Sequence, residues 1–182
     1  FGGESAGMRE KDIVLDIALR VRDRLEAILD GTTIAMTRDD DSFPELGDRT
    51  DFAHEQRENP LDNVLFVSIH ANASVARWTE ARGVEIYYLQ PEERRDVLEE
   101  SVREELDPQV AYILNDLKED EYTWESKRMA TFILDAISSQ LPETPVDRGI
   151  REASYYVNRV ARMPSILIET GFVNNPEEAR LL

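Results

Sequence analysis

The chain has 182 residues, 41% of them hydrophobic, which suits one domain with its own core, since domains commonly run to roughly 100–200 residues. Its 38 acidic against 21 basic side chains leave a formal net charge of −17, which repels a phosphate backbone and excludes nucleic acid as a partner. With no cysteine there is neither a disulfide nor a thiolate metal site, and no apolar run approaches the ~20 residues of a membrane span. The absence of cysteine suits an oxidising envelope compartment. No signal peptide is legible, and a first residue of Phe1 rather than Met leads us to expect a segment upstream.

Ile13, Val14, Ile17, Ala18, Val21, Leu25, Ile28 and Leu29 recur at helical spacing, and Gly31 follows, so a helix is predicted from about Glu10 to Leu29. Thr32 to Thr37 is β-branched and apolar and reads as a strand. Arg38 to Ser42 is a polar loop leading into a second helix around Leu46 to Gln56. Val64 to Ile69 is a nearly continuous apolar run, the pattern of a strand covered on both faces, and it ends at His70. Gly83 to Leu89 is a further strand.

Composition then turns sharply polar, and Pro91 to Glu121 reads as one or two solvated helices inserted between core elements. An amphipathic helix carrying Met129, Phe132, Ile133, Ala136 and Ile137 follows. Ser154–Val160 and Ser165–Glu169 look like two more strands. Asn175, Pro176, Glu177 and Glu178 have the chemistry of a helix start, with Asn as cap, Pro at the first position and acids in the first turn. The chain stops about a turn later, so a longer last helix is expected. The sum is an α/β fold: a single mixed β-sheet flanked by helices on both faces.

Only His54 and His70 are present, which excludes a three-histidine metal site within these residues. No His-Glu-x-x-His, Gly-x-Ser-x-Gly or phosphate-binding glycine motif occurs. His70 ends a buried strand, where open α/β folds place their chemistry, although a histidine there is as often structural. Glu169 ends the apolar run Ser165–Ile168, and a carboxylate in that position needs a partner or a function. Glu10 opens a long helix, where the helix dipole alone favours an acid.

The segments Gly7–Ala18, Thr37–Asp41, Ser68–Ala73, Gly83–Leu89 and Met163–Phe172, with Arg148-Gly149 and Asn174–Glu178, stand in the order found in the family-3 zinc-dependent N-acetylmuramoyl-L-alanine amidases, which this chain resembles over nearly its whole length. The resemblance implies a zinc amidase fold of the phosphorylase/hydrolase-like kind and cleavage of the amide between N-acetylmuramic acid and L-alanine in peptidoglycan. It also implies Zn2+ bound by Glu10 and His70, Glu169 as catalytic acid/base, and an exported, periplasmic or extracellular location. The family's further histidine ligand is not in this sequence and is expected upstream of Phe1. Without it, the alternative is a degenerate peptidoglycan-binding or regulatory module; a zinc carboxypeptidase-like peptidase is a second alternative that fits the ordered motifs less well.

Asn72 follows His70 and is a candidate substrate-binding residue. Arg148 is another, through its planar fork, with a structural salt bridge as the equal alternative. His54 and the Tyr87-Tyr88 and Tyr155-Tyr156 pairs read first as structural. In division-associated amidases an extra helix covers the site until an activator protein displaces it. Within the inserted segment 91–121, Asp107–Leu117 resembles part of that regulatory region, with Glu99, Glu100 and Glu104 as candidates to occupy zinc's open position; a solvated surface hairpin is the alternative.

Overall fold

The computed structural model describes residues 4–5, 8–57, 63–75, 78–93, 95–141 and 148–182. A two-residue pairing of β1 (Glu4–Ser5) with β2 (Met8–Arg9) leads directly into α1 (Glu10–Ile28). The remaining elements are α2 (Leu46–Glu55), β3 (Phe66–Asn72), β4 (Glu85–Tyr88), α3 (Glu100–Glu105), α4 (Pro108–Gln140), β5 (Gly149–Glu152), α5 (Tyr156–Val160), β6 (Ser165–Phe172) and a terminal 3-10 turn at Glu178–Arg180.

Four strands form one mixed sheet in the order β3-β6-β4-β5, with β3 parallel to β6, β4 antiparallel to β6 and β5 parallel to β4. The expected mixed sheet is therefore observed. Alternation along the strands divides the core in two. On one face Phe66, Leu167 and half-buried Tyr87 pack with Ala53 of α2, Val157 of α5, Ala161 and Met163. On the other, Val84, Ile86, Tyr88, Ile166 and Ile168 pack under Ala130, Met129, Ile133 and Ile137 of α4. Helix α1 lays Ile13, Val14 and Ile17 on Ala71 and Val173, while Val21, Ile28 and Leu29 further along the expected stripe are exposed.

Three sequence expectations are corrected. Thr32 to Thr37 forms no strand: β-branched composition requires a neighbouring edge to pair with, and no described strand runs beside it. Ser154 to Val160 is not a strand but mostly the short helix α5, because its buried positions, Val157, Asn158 and Ala161, fall at helical spacing. The strand in that region is Gly149–Glu152.

Residues 91–121 are not a detached solvated hairpin either. Helix α4 runs without a break from Pro108, capped by the Asp107 carboxylate accepting from the Gln109 N–H, through to the core helix end at Gln140. Within that segment Arg95 and Glu119 are a buried ion pair with Nε–Oε1 2.9 Å. The Arg95 Nη1 donates to the carbonyls of Asn158, Ala161 and Met163. A guanidinium so placed fastens the segment to the loop that precedes β6.

At the opposite end of β6 the chain bulges: register shifts between His70 and Asn72, and Gly171 has φ +148, a conformation that disfavours any side chain. Glu178 fills the concavity, its carboxylate accepting from the Gly83 and Phe172 N–H groups at 2.7 Å each. The expected helix start at Asn175 is present as a cap, with Asn175 Oδ1 accepting from the N–H groups of Glu177 and Glu178, but it opens a 3-10 turn.

Candidate active site at the end of the mixed sheet

One row across the sheet assembles the candidate chemistry. His70 on β3 is the register partner of Glu169 on β6, and Glu169 is the partner of Glu85 on β4, which in turn pairs with Gly149 of β5. Register partners share a face, so the His70 imidazole and both carboxylates stand side by side. Glu10 arrives from the first turn of α1, its Oε1 3.0 Å from His70 Nδ1 and accepting from the Ala71 N–H at 3.4 Å. The short β1–β2 pairing just before α1 and the packing of Ile13 on Ala71 fix that approach.

Glu169 Oε2 is buried without a hydrogen bond among the described residues; Glu85 Oε2 lacks one too but has two guanidiniums at 3.1 and 3.2 Å, whereas no ion pair among the described residues reaches Glu169. Its carboxyl is pushed up to about 7, first by burial, with Glu10 and Glu85 raising it further and His70 opposing. A carboxyl that exchanges its proton near neutrality is suited to general acid/base work. Tyr155 faces this carboxyl, and its phenol is raised by burial and by the Glu169 charge. Its ring also meets Tyr87 edge to face at 5.0 Å, so these tyrosines both pack and line the site.

Glu85 is the residue that sequence reading passed over. It is 1% exposed, and Asn72 Nδ2 donates to its Oε1 at 2.6 Å. Arg148 Nη2 donates to the same oxygen at 3.2 Å, while Arg148 Nε and Arg151 Nε lie 3.1 and 3.2 Å from Oε2. Asn72 and Arg148, singled out as substrate-binding candidates, thus both converge on one buried carboxylate. The available signal was a charged residue at an apolar strand's inward position in Gly83-Val-Glu85-Ile-Tyr-Tyr. Gly149, at φ +71, allows the turn by which Arg148 enters β5.

The remaining candidates lie elsewhere. Glu99 and Glu100 line a cavity of about 360 Å³ with His54, Arg57, Ser101, Arg162 and Met163, and Glu104 is on α3. Met163 lies six residues before Glu169, roughly 20 Å along an extended chain. Among the described residues no group of three His, Cys, Asp or Glu side chains forms, so none of these three glutamates stands as a third ligand beside Glu10 and His70. His54 accepts the Arg162 N–H on Nε2 at 3.1 Å, and burial and the Arg162 charge depress its proton affinity, which is a structural role.

Metal fit rests on the donor set. His70 and Glu10 supply one imidazole nitrogen and one carboxylate, the hard and borderline donors that Zn2+ accepts, and the proton they share is what a cation would displace. Among the described residues no third His, Cys, Asp or Glu completes a cluster.

Fold and row together define a class: α/β domains with a histidine–carboxylate pair and a neutral-range carboxyl at one end of a mixed sheet. The chain belongs to the N-acetylmuramoyl-L-alanine amidase family, whose model matches residues 1–182. It is 31% identical to the amidase AmiC of Neisseria meningitidis over 97% of this chain and 43% of that protein. It is 30% identical to the amidase LytC of Bacillus subtilis over 100% of this chain and 28% of that protein. The chain thus spans less than half the length of these relatives. Among solved structures it is similar to an N-acetylmuramoyl-L-alanine amidase from Clostridium difficile 630, with TM-score 0.69 and 28% identity, covering 98% of this chain and 76% of that one.

Proposed function

We propose that the protein hydrolyses the amide bond between N-acetylmuramic acid and L-alanine in bacterial peptidoglycan, using a zinc ion held by Glu10, His70 and a histidine from upstream of Phe1. The observation that carries the reading is Glu169: a buried carboxyl with one unpartnered oxygen, raised to about 7, beside the His70–Glu10 pair. Family membership supplies the substrate class.

Zinc, when bound, supplies a Lewis acid and lowers the pKa of its water to roughly 7. The chain's own residues do the rest. Glu10, tied to α1 and to the Ala71 N–H, and His70, fixed by β3, hold their donor atoms in place. Glu169 takes the proton from the attacking water and returns it to the departing L-alanine nitrogen. Burial serves this exchange, because a carboxyl near 7 is neither too weak a base to accept nor too weak an acid to donate. Tyr155 and Tyr87 form an apolar wall that limits water around it.

A periplasmic or cell-wall location follows from the substrate, and no described helix is long and apolar enough to cross a membrane. Control by an activator protein acting on residues 91–121, with Glu99, Glu100 or Glu104 reaching the zinc, rests on the resemblance alone. It requires that segment to leave the Arg95 clamp.

The test is release of stem peptide from purified peptidoglycan by zinc-loaded protein extended upstream of Phe1. Wild type is expected to release it, and Glu169→Gln to bind zinc normally without turnover. Retained turnover in Glu169→Gln removes Glu169 from the mechanism.

A further inference from the structure

The buried Glu85 cluster carries more positive charge than its own neutrality requires. One carboxylate faces two guanidiniums, leaving an excess of one positive charge in a protein of net charge −17. Arg148 turns its Nε and Nη2 toward Glu85, and its guanidinium lies 5.0 Å over the Phe172 ring, which fixes the plane of the fork. Arg151 spends only its Nε, which donates to the Arg148 carbonyl and approaches Glu85; its side chain is half exposed. Arg148 Nη1 and both Nη groups of Arg151 have no partner among the described residues. The two side chains project from the β5 edge, two strands from Glu169 in the order β6-β4-β5, and their guanidiniums reach back over β4 to Glu85, the register partner of Glu169.

We propose that Arg148 and Arg151, aligned by Glu85, form a subsite for a free carboxylate on the peptide residue that follows the cleaved amide. The proposal rests on the amidase reading and extends it to substrate choice. A peptide whose scissile bond lies at Glu169 advances at most ~3.8 Å per residue. A peptide running from Glu169 toward β5 brings its second residue over β4, where the two forks meet Glu85. A γ-linked glutamate there presents an α-carboxylate, which planar guanidiniums take in paired, charge-assisted hydrogen bonds. Amidation of that carboxyl removes the charge and leaves a donor facing donors. Glu85 is a positioning residue: it does not reach the ligand but keeps two mutually repelling cations side by side.

The test is calorimetric binding, which needs no turnover, of the synthetic peptide L-Ala-γ-D-Glu-L-Lys and of its counterpart with the glutamate α-carboxyl amidated. The acid should bind roughly ten- to a hundredfold more tightly than the amide, the worth of a hydrogen bond to a charged group. Arg151→Ala, at a half-exposed position that tolerates truncation, should bring the ratio close to one, as should Arg148→Gln. Glu85→Gln should lower the ratio and Glu85→Asp partly restore it, an order that loss of fold alone does not produce. If Glu85→Gln does not fold, the Arg151 variant still decides. Equal affinities in the wild type, including no measurable binding of either peptide, overturn the proposal, as does a ratio that Arg151→Ala leaves unchanged. A preserved ratio with no peptide release from peptidoglycan would instead fault the amidase reading.

Discussion

Glu85 and Glu169 are register partners on adjacent antiparallel strands, yet the first accepts from Asn72 and faces the guanidiniums of Arg148 and Arg151 while the second has no ion pair among the described residues. Two neighbouring carboxylates are thereby given different work, one fixed as a counter-ion and the other free to exchange a proton.

A pH dependence of stability follows for the metal-free protein. Glu169 titrates near 7 when folded and near 4.5 when unfolded, so between these values the folded state holds a proton that the unfolded chain has lost. The contribution is fully present below about 4.5 and is lost as pH rises to 7, amounting to at most about 3 kcal/mol. Denaturant midpoints of wild type and Glu169→Gln, compared from pH 5 to 8, should diverge as pH rises, with the variant gaining relative to the wild type. Parallel curves would show that Glu169 ionises normally.

Metal binding should depend on the pair that the fold joins from α1 and β3. Glu10→Ala or His70→Ala in the zinc-binding protein should weaken zinc by more than the ~10–100-fold that loss of a supporting residue costs. His54→Ala should change zinc affinity little, since that ring is committed to the Arg162 backbone. Competition with a chromophoric chelator measures all three.

How much of this was legible beforehand depended on the kind of signal. Helix α1, strands β3 and β6 and the His70 and Glu169 strand ends were readable because apolar periodicity and its interruption by one polar residue are local. Strand β5 was not, since Gly-Ile-Arg-Glu has a single apolar residue and its pairing is supplied by β4. The role of Glu85 was hidden because its partners come from residues 72, 148 and 151, and sequence spacing carries no record of that convergence. The charged segment misled for the same reason: Arg95 looks like a solvated residue until Glu119 and three carbonyls close around it.

That clamp makes a prediction about stability. Arg95→Met removes the Arg95 guanidinium from buried Glu119 and frees three carbonyls, so a loss of about 3–5 kcal/mol is expected in denaturant unfolding. Arg95→Met with Glu119→Leu should recover much of it, because the buried carboxylate is then removed as well. A double variant as unstable as the single would show that the carbonyl contacts, not the charge, carry the stability.

Glu178 connects the terminal segment to the end of the sheet where the candidate chemistry lies. Its carboxylate accepts from the N–H groups of Gly83, just before β4, and of Phe172, at the end of β6, so one side chain closes two strands that flank the site. Glu178→Ala removes both acceptors and leaves two donors of the buried backbone unsatisfied, at about 1–3 kcal/mol each. Glu178→Gln keeps one acceptor oxygen and should lose roughly half as much. Unfolding midpoints give the ranking, and amide exchange at Gly83 and Phe172 should quicken most in the alanine variant. If exchange there is unchanged, water has replaced the carboxylate and the bulge at Gly171 is held by the strand pairing alone.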